Sequence, residues 1–539
     1  MSDNYVTIKV FVVSLFSVFL LFAWQGGKGL DLGDEGYLWY GAQRVMLGEV
    51  PIRDFMAYDP GRYYWSAAIM EVVGNNGIMT LRTANVLFQL LGVFVGVMLI
   101  ARSIKGYDKN TFIFLIVSTQ VLLAWMFSNC KLYDSSFSLF MIAALSFLIK
   151  DPIPRRFFIT GVCIGVAAVF GRNHGVYGLI GGLVVTFLLQ YKKASATTLS
   201  HELILLGSGI IVGFSPIVIM VLLVPGFAIA FWKSIVFLVT QGATNLPLPV
   251  PWPWRPPLVS RINGVVVGMF FVAILVFGVV GILWVLSQKM REKELPPAFV
   301  ASVALALPYA HYAFSRADAV HLAQGVFPAL IGSLAIIASK GIRFKWLFAG
   351  ALFLISIIAT YPYHPGYQCR GEKRCVNIEV SGSTIKVSPS VANVVVLLRD
   401  LVDQYAVHGE GFIAAPLLPG AYPLFERRAP MWEIYALFPQ TEGFQREEID
   451  RIKLSRPAFV YLVDVALDGR EELRFRNTNP LIYRYVVDNF EAVSDSLYIN
   501  KNKSISADRF WYTHQWVQVI ALFVVVGFLF VSFRGGVLR

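Results

Sequence analysis

The sequence predicts a polytopic α-helical membrane protein of about twelve transmembrane helices, with a soluble α/β domain on the outer face towards its C-terminal end. Three observations predict it. Hydrophobic residues make up 56% of the 539-residue chain and charged residues only 15%, against roughly a quarter charged in soluble proteins. Twelve apolar stretches approach the roughly 20 residues that cross a bilayer. The lysines and arginines of the short loops fall on one side of those stretches, as cytoplasmic loops require. The 42 Phe, 23 Tyr and 12 Trp exclude disorder, because such bulk favours burial. Four cysteines are too few for a disulfide scaffold and lack zinc-site spacing.

The stretches run 6–24, 83–101, 111–128, 135–149, 157–171, 175–190, 203–223, 263–287, 298–313, 321–339, 345–361 and 515–533. The first reads as an uncleaved helix, since Ala23-Trp24-Gln25-Gly26 lacks a small-x-small cleavage site. With this count Lys9, Arg102, Lys105, Lys109, Lys150, Arg155, Arg156, Lys192, Lys193, Lys289, Arg291, Lys293, Lys340, Arg343, Lys345, Arg534 and Arg539 share one side. Both termini are therefore expected in the cytoplasm. The net charge of +12 is then mostly a topology signal, and no long basic tract on the outer face suits nucleic acid. Residues 1–361 form the transmembrane module, 362–514 the outer domain, and 515–539 the last span with a cytoplasmic tail.

The outer face receives the loop 25–82, short turns near Lys131, Arg172 and Arg316, the Pro/Trp segment 224–262, and the region 362–514. That region is long enough for its own core and nearly balanced, with 18 basic against 19 acidic residues. Helical spacing over Val391–Tyr405, a strand at Gly411–Leu418, a helix at Arg446–Leu454 and a strand at Ala458–Val463 predict mixed α/β structure. Cys369 and Cys375 at its entrance are either a small disulfide loop or two free thiols. Cys163 reads as packing within a span, and Gly178-Leu179-Ile180-Gly181-Gly182 as helix packing rather than a phosphate loop.

The first outer loop carries the sharpest chemistry. Leu38, Trp39, Ala42, Val45 and Met46 make a helical stripe and Tyr63–Val73 a second, predicting two amphipathic helices on the membrane surface. They would hold Asp34 and Glu35 at the mouth of the bundle, with Asp34 also suited to an N-cap. Asp34-Glu35-Gly36-Tyr37, then Ala42 to Gly48, then Val50-Pro51-Ile52-Arg53-Asp54-Phe55 and Pro60 before aromatics resemble the first outer loop of GT-C glycosyltransferases. The nearest likeness is to the protein O-mannosyltransferase and aminoarabinose transferase branch. The resemblance extends to the overall plan of many spans with an outer domain near the C-terminus.

That resemblance implies hexosyl or pentosyl transfer from a polyprenyl-phosphate-linked sugar to a glycan, lipid or protein acceptor. It also implies a bacterial inner membrane location with the active site on the periplasmic face. It puts the catalytic role on Asp34, with Glu35 beside it. One departure stands out. A lysine before Pro-Pro commonly meets the carrier phosphate in the aminoarabinose branch, whereas this chain has Asp59-Pro60-Gly61-Arg62. Asp134, in Asn129-Cys130-Lys131-Leu132-Tyr133-Asp134-Ser135-Ser136, matches the family's second acidic position. It is either a helix cap or, with Asp34, a ligand to a divalent cation such as Mg²⁺ or Mn²⁺.

The phosphate needs cations, because arginine presents a planar fork of donors. The candidates are Arg62, Arg172 with His174, Arg255, and Arg316 with His321, ionisable groups at membrane depth being functional candidates by default. Arg316 could instead pair with Asp318, and His311 reads as an interhelical residue. Trp252 and Trp254 beside Arg255 fit an aromatic belt or a lid over the site. The mechanism expected is a single displacement with inversion, Asp34 as general base and Arg316, His321 or a metal stabilising the departing phosphate. A multi-span lipid or sugar transporter is the alternative. Its polar residues would lie near the midplane, whereas here they crowd one face.

Overall fold

The computed structural model describes residues 3–104, 106, 109–191, 197–242, 245–255, 262–371 and 374–501. The expected last span, 515–533, and the tail lie outside them. The first helix, α1 (Asp3–Gln25), leads into the two helices of the outer loop, α2 (Asp34–Met46) and α3 (Gly61–Val73). The bundle continues with α4 (Ile78–Arg102), α5 (Lys109–Ala124), α6 (Leu132–Lys150), α7 (Pro154–Phe170) and α8 (Arg172–Gln190). Then come α9 (Leu199–Gly213), α10 (Ser215–Leu223), α11 (Phe227–Gln241), α12 (Ile262–Met290), α13 (Pro297–Ser315), α14 (Ala319–Gly325), α15 (Phe327–Ser339) and α16 (Lys345–Thr360).

Every expected apolar stretch within the described residues is mostly helical, but the spans are less uniform than twelve straight rods. Among the described residues six helices are long and apolar enough to cross a membrane, or eight with two bent pairs counted as single spans. The bends are 53° between α9 and α10 and 48° between α14 and α15. Pro216 and Pro328 open the second member of each pair. A ring without an N–H interrupts the ladder and pushes the preceding turn aside. Close packing of α7 on α9 depends on glycine: a Cβ at Gly161 would lie 2.2 Å from the Leu206 carbonyl oxygen, and one at Gly213 2.2 Å from that of Val162. The segment 224–262 also differs from expectation. Its first part forms the helix α11, whose Trp232 and Val239 are exposed, and the extended Pro/Trp chain begins only after it.

Beyond α16 a short helix α17 (Pro365–Gln368) precedes the Cys369–Cys375 disulfide. A hairpin of β1 (Val376–Val380) and β2 (Ser383–Val387) leads to α18 (Pro389–Tyr405). There follow β3 (Ile413–Ala415), α19 (Ala421–Leu424), α20 (Glu442–Ser455), β4 (Phe459–Leu462), α21 (Phe475–Thr478), α22 (Pro480–Asn489), β5 (Phe490–Ala492) and β6 (Leu497–Asn500). The four-stranded sheet runs β3-β4-β6-β5; β3 and β4 are parallel across the α20 crossover, and the other pairs antiparallel.

The outer region sits directly on the first outer loop, and this changes the character of α2. Glu35–Val45 are all buried, so α2 is not a half-exposed surface helix. One face meets the bundle; the other meets residues almost 400 positions away. Gly36 packs so closely on Gly420 that a Cβ would stand 2.4 Å from its backbone. Gln43 donates to the Pro423 carbonyl at 3.3 Å, and the Tyr40 hydroxyl accepts from the Ala429 N–H at 3.1 Å. A single hydrophobic stripe could not reveal a second buried face made of Tyr and Gln.

Candidate active site

The start of α2 and the turns before α6, α8 and α14 meet at one end of the bundle, and their side chains form two adjoining clusters. The deeper one centres on Asp134 in the first turn of α6. Its Oδ1 lies 3.0 Å from His174 Nε2 and 3.3 Å from Arg62 Nη2. His174 Nδ1 is 3.0 Å from the Tyr309 hydroxyl. Arg62 also donates through Nε and Nη2 to the Phe170 carbonyl, at 3.1 and 2.8 Å. The side chains of Asp134, Arg62 and His174 are 2%, 6% and 0% exposed. This cluster locks α3, α6, the end of α7 and α8 together.

The outer cluster centres on Asp34, whose side chain is 30% exposed. Lys131, on the single turn Asn129–Lys131 before α6, places Nζ 3.5 Å from Asp34 Oδ2 and 3.4 Å from the Tyr58 hydroxyl. Tyr435, from the outer region, donates to Asp34 Oδ1 at 3.2 Å, and its ring lies 5.6 Å from that of Tyr37. The Lys131 ammonium holds the Asp34 carboxyl below the usual carboxylate range; the Tyr435 hydroxyl and the nearby His321 add to this against the opposing effect of burial. Asp34 therefore stands ionised at neutral pH. Asp31 behaves differently. Its carboxylate reaches solvent, but surrounding protein and the negative charge of Asp34 push it up to about 6. An acceptor hydroxyl at this rim would meet an ionised carboxylate, hydroxyl donors and aromatic faces that suit a sugar.

The structure brings only some of the expected residues to this rim. Glu35 is occupied elsewhere: Arg82 donates to both its oxygens at 2.7 Å and to the carbonyls of Gly26 and Gly29 at 2.7 Å. Glu35 thus anchors α2 to α4. Arg172 pairs with Asp59 at 2.6 Å and donates to the Ser234 hydroxyl at 3.0 Å. Arg316 pairs with Asp318, the alternative its sequence setting left open, and also grips Asp468 of the outer region through two 2.8 Å bonds and the Leu246 carbonyl at 3.0 Å. His321 donates its backbone N–H to Asp318 Oδ1 and sets Nδ1 beside the same oxygen, both at 2.9 Å, and it lies near Asp34. Arg255 is exposed beside the stacked pair Trp252 and Trp254, whose centroids are 5.5 Å apart. His311 meets the Tyr177 hydroxyl at 3.0 Å.

The two expected cation ligands, Asp34 and Asp134, belong to the two separate clusters. Lys131 faces Asp34 Oδ2, and Arg62 and His174 both face Asp134 Oδ1, while Asp134 Oδ2 is buried with no hydrogen-bond partner. Among the described residues no group of three or more His, Cys, Asp or Glu converges as a metal site. Sequence reasoning assigned no role to Lys131, Tyr435 or Asp31. Lys131 carried a signal, as a lone cation in an apolar turn three residues before Asp134. Tyr435 carried none, because its partner is 401 residues away.

No protein-family model and no curated protein sequence matches the chain. Solved structures do. ArnT from Cupriavidus metallidurans bound to undecaprenyl phosphate aligns over 85% of this chain and 89% of its own, at 13% identity and a TM-score of 0.50. The same protein in the apo state aligns over 79% and 86%, at 12% identity and a TM-score of 0.48. The Archaeoglobus fulgidus oligosaccharyltransferase in the apo form aligns over 90% of this chain and 72% of its own, at 12% identity and a TM-score of 0.46. The first of these likenesses carries the structural argument.

Proposed function

The chain has the GT-C fold, and from that premise we propose that it is an integral membrane glycosyltransferase. It moves a sugar from a polyprenyl-phosphate carrier to a hydroxyl-bearing acceptor at the outer face, with Asp34 as general base. The observation that supports this reading is the setting of Asp34: an ionised carboxylate, 30% exposed, at the rim where the outer-end turns meet. The carrier chemistry is that of undecaprenyl phosphate, the lipid bound by ArnT.

The step is a direct displacement. The acceptor oxygen bonds to the anomeric carbon as the bond from that carbon to the phosphate oxygen breaks. The electron pair leaves with the polyprenyl phosphate, the acceptor proton passes to Asp34, and the anomeric centre inverts. The transition state has oxocarbenium character, so the ring needs a negative carboxylate on one face and a stabilised phosphate on the other. Asp31 and His321, both near Asp34, shape the field around it. Tyr58 and Tyr435 supply aromatic and hydroxyl surface to the sugar.

Membranes containing the chain are to be incubated with a panel of labelled polyprenyl-phosphate sugars. One donor is expected to give labelled product, and Asp34→Asn to slow transfer by about 10²–10⁴-fold, the usual contribution of a general base. Near-normal transfer by Asp34→Asn at normal protein levels would remove Asp34 from the role.

A further inference from the structure

The carrier phosphate needs a cation at the rim, and hydrogen bonding already engages three of the arginines that could supply one. Arg62 is tied to Asp134 and the Phe170 carbonyl. Arg172 is tied to Asp59 and Ser234. Arg316 uses Nε, Nη1 and Nη2 on Asp318, Leu246 and Asp468. Freeing any of them would undo a contact that holds the outer loops together.

Lys131 is different. Its ammonium has three donors, yet its contacts to Asp34 and Tyr58 are both long, 3.5 and 3.4 Å. Charge-assisted bonds between such groups close to about 2.7–2.9 Å when they form fully. The side chain is only 11% exposed, so water has limited access to make up the difference. A nearly buried, under-coordinated ammonium beside a partly open carboxylate is poised to take another anionic ligand.

We propose, on the reading of Asp34 given above, that Lys131 receives the phosphate of the lipid carrier, and that it does so by leaving Asp34. The donor is a phosphodiester with one negative charge, and the leaving polyprenyl phosphate gains a second as the sugar departs. The ammonium gains most from the more charged species, so Lys131 favours the leaving group. The same movement strips Asp34 of its nearest cation, and its carboxylate becomes the stronger base only once the donor is in place. The Tyr58 hydroxyl, within reach of Nζ, guides the ammonium between the two positions. Lys131 is thus a catalytic residue contacting the reacting phosphate, supplied by the turn before α6 and not by the second outer-loop helix.

The test is the affinity of the purified full chain in nanodiscs for undecaprenyl phosphate, read by native mass spectrometry. Undecaprenol and inorganic phosphate serve as separate arms. Lys131→Gln is expected to weaken undecaprenyl phosphate binding by about tenfold or more, the scale of one charge-assisted contact, and to leave undecaprenol binding unchanged. Asp34→Asn, which frees Lys131, is expected to tighten binding several-fold, and the gain to vanish in the double variant. Wild-type affinity in Lys131→Gln overturns the proposal, as does an Asp34→Asn gain that survives without Lys131. Inorganic phosphate binding with the same Lys131 dependence and affinity would overturn the lipid as the source. A wild-type chain that binds no undecaprenyl phosphate overturns the functional reading itself. Should Lys131→Gln not accumulate folded, Asp34→Asn and Lys131→Arg carry the test: tighter binding in the first and retained binding in the second are expected, and no change in the first overturns the proposal.

Discussion

The two clusters at one end of the bundle contain the same ingredients and are built oppositely. Around Asp134, an acid, a cation and a hydroxyl-bearing partner meet with little exposure, and Arg62 and His174 both bind the carboxylate within 3.3 Å. Around Asp34, an acid, a cation and a hydroxyl stand further apart, and the acid reaches solvent. A sealed ion pair fixes geometry, since removing one partner strands the other in a medium that cannot solvate it. A loose and partly open pair can exchange partners. Position next to a membrane does not by itself make an ionisable residue catalytic. His174, a candidate by location, belongs to the fixed cluster, and Lys131, without an assigned role, belongs to the exchangeable one.

The sharpest way to break this comparison is to remove the cation from each cluster. Arg62→Met leaves the Asp134 carboxylate with His174 alone, and the loss of a buried partner costs about 3–5 kcal/mol. The expected result is a large fall in thermal midpoint, or no folded protein on detergent size-exclusion chromatography. Lys131→Met leaves a carboxylate that water already reaches, and the expected cost is about 1 kcal/mol. Equal destabilisation by the two substitutions would erase the distinction.

A second, smaller effect concerns the outer region that carries Tyr435. Glu433 and Glu448 are buried there, 4% and 0% exposed. Burial pushes Glu433 up to about 8 and Glu448 up to about 7. Glu448 Oε2 accepts the backbone N–H of Trp432 and of Glu433, at 2.8 and 3.1 Å, so the pair shapes the segment leading to Tyr435. In the folded state these groups hold protons that the unfolded chain has released. Between about pH 4.5 and about pH 8 stability therefore falls as pH rises, by up to about 1.4 kcal/mol per unit for each group. Thermal midpoints over that range are expected to decline, and Glu433→Gln to flatten the slope. A slope unchanged by Glu433→Gln would separate the pair from the stability of the region.

The sequence made the bundle legible because apolar length and loop charge are local signals. The helix at Pro389–Tyr405 and the strand at Phe459–Leu462 also lie where the periodicity placed them. The outer loop shows where such signals run out. Asp34 was visible from its place in a recognisable segment, but Glu35, its neighbour, differs from it only through Arg82, 47 residues away. The arginines were visible as cations, but their engagement was not, because Asp59, Asp468 and the Phe170 carbonyl come from distant segments. The bends at α9–α10 and α14–α15 were readable in principle, from a proline at the start of each second helix. The buried outer face of α2 was not, since Tyr and Gln in a helix look like solvent-facing residues until an outer domain covers them.

The smallest effect sharpens the comparison most finely. Tyr435 is the outer region's one hydrogen bond to Asp34 among the described residues, 3.2 Å from hydroxyl to Oδ1. Tyr435→Phe keeps the ring against Tyr37 and removes the donor, so the fold should lose no more than about 1 kcal/mol. As the proposed base Asp34 would act in its ionised form, and the hydroxyl is one of the groups holding its carboxyl low. Without that donor the carboxyl rises towards the usual carboxylate range. The acid limb of the transfer rate against pH should move upward, while the rate above neutrality stays close to wild type. A purely structural Tyr435 would instead lower the rate evenly across pH. An acid limb that stays in place would mean that the outer region covers the exchangeable cluster without tuning it.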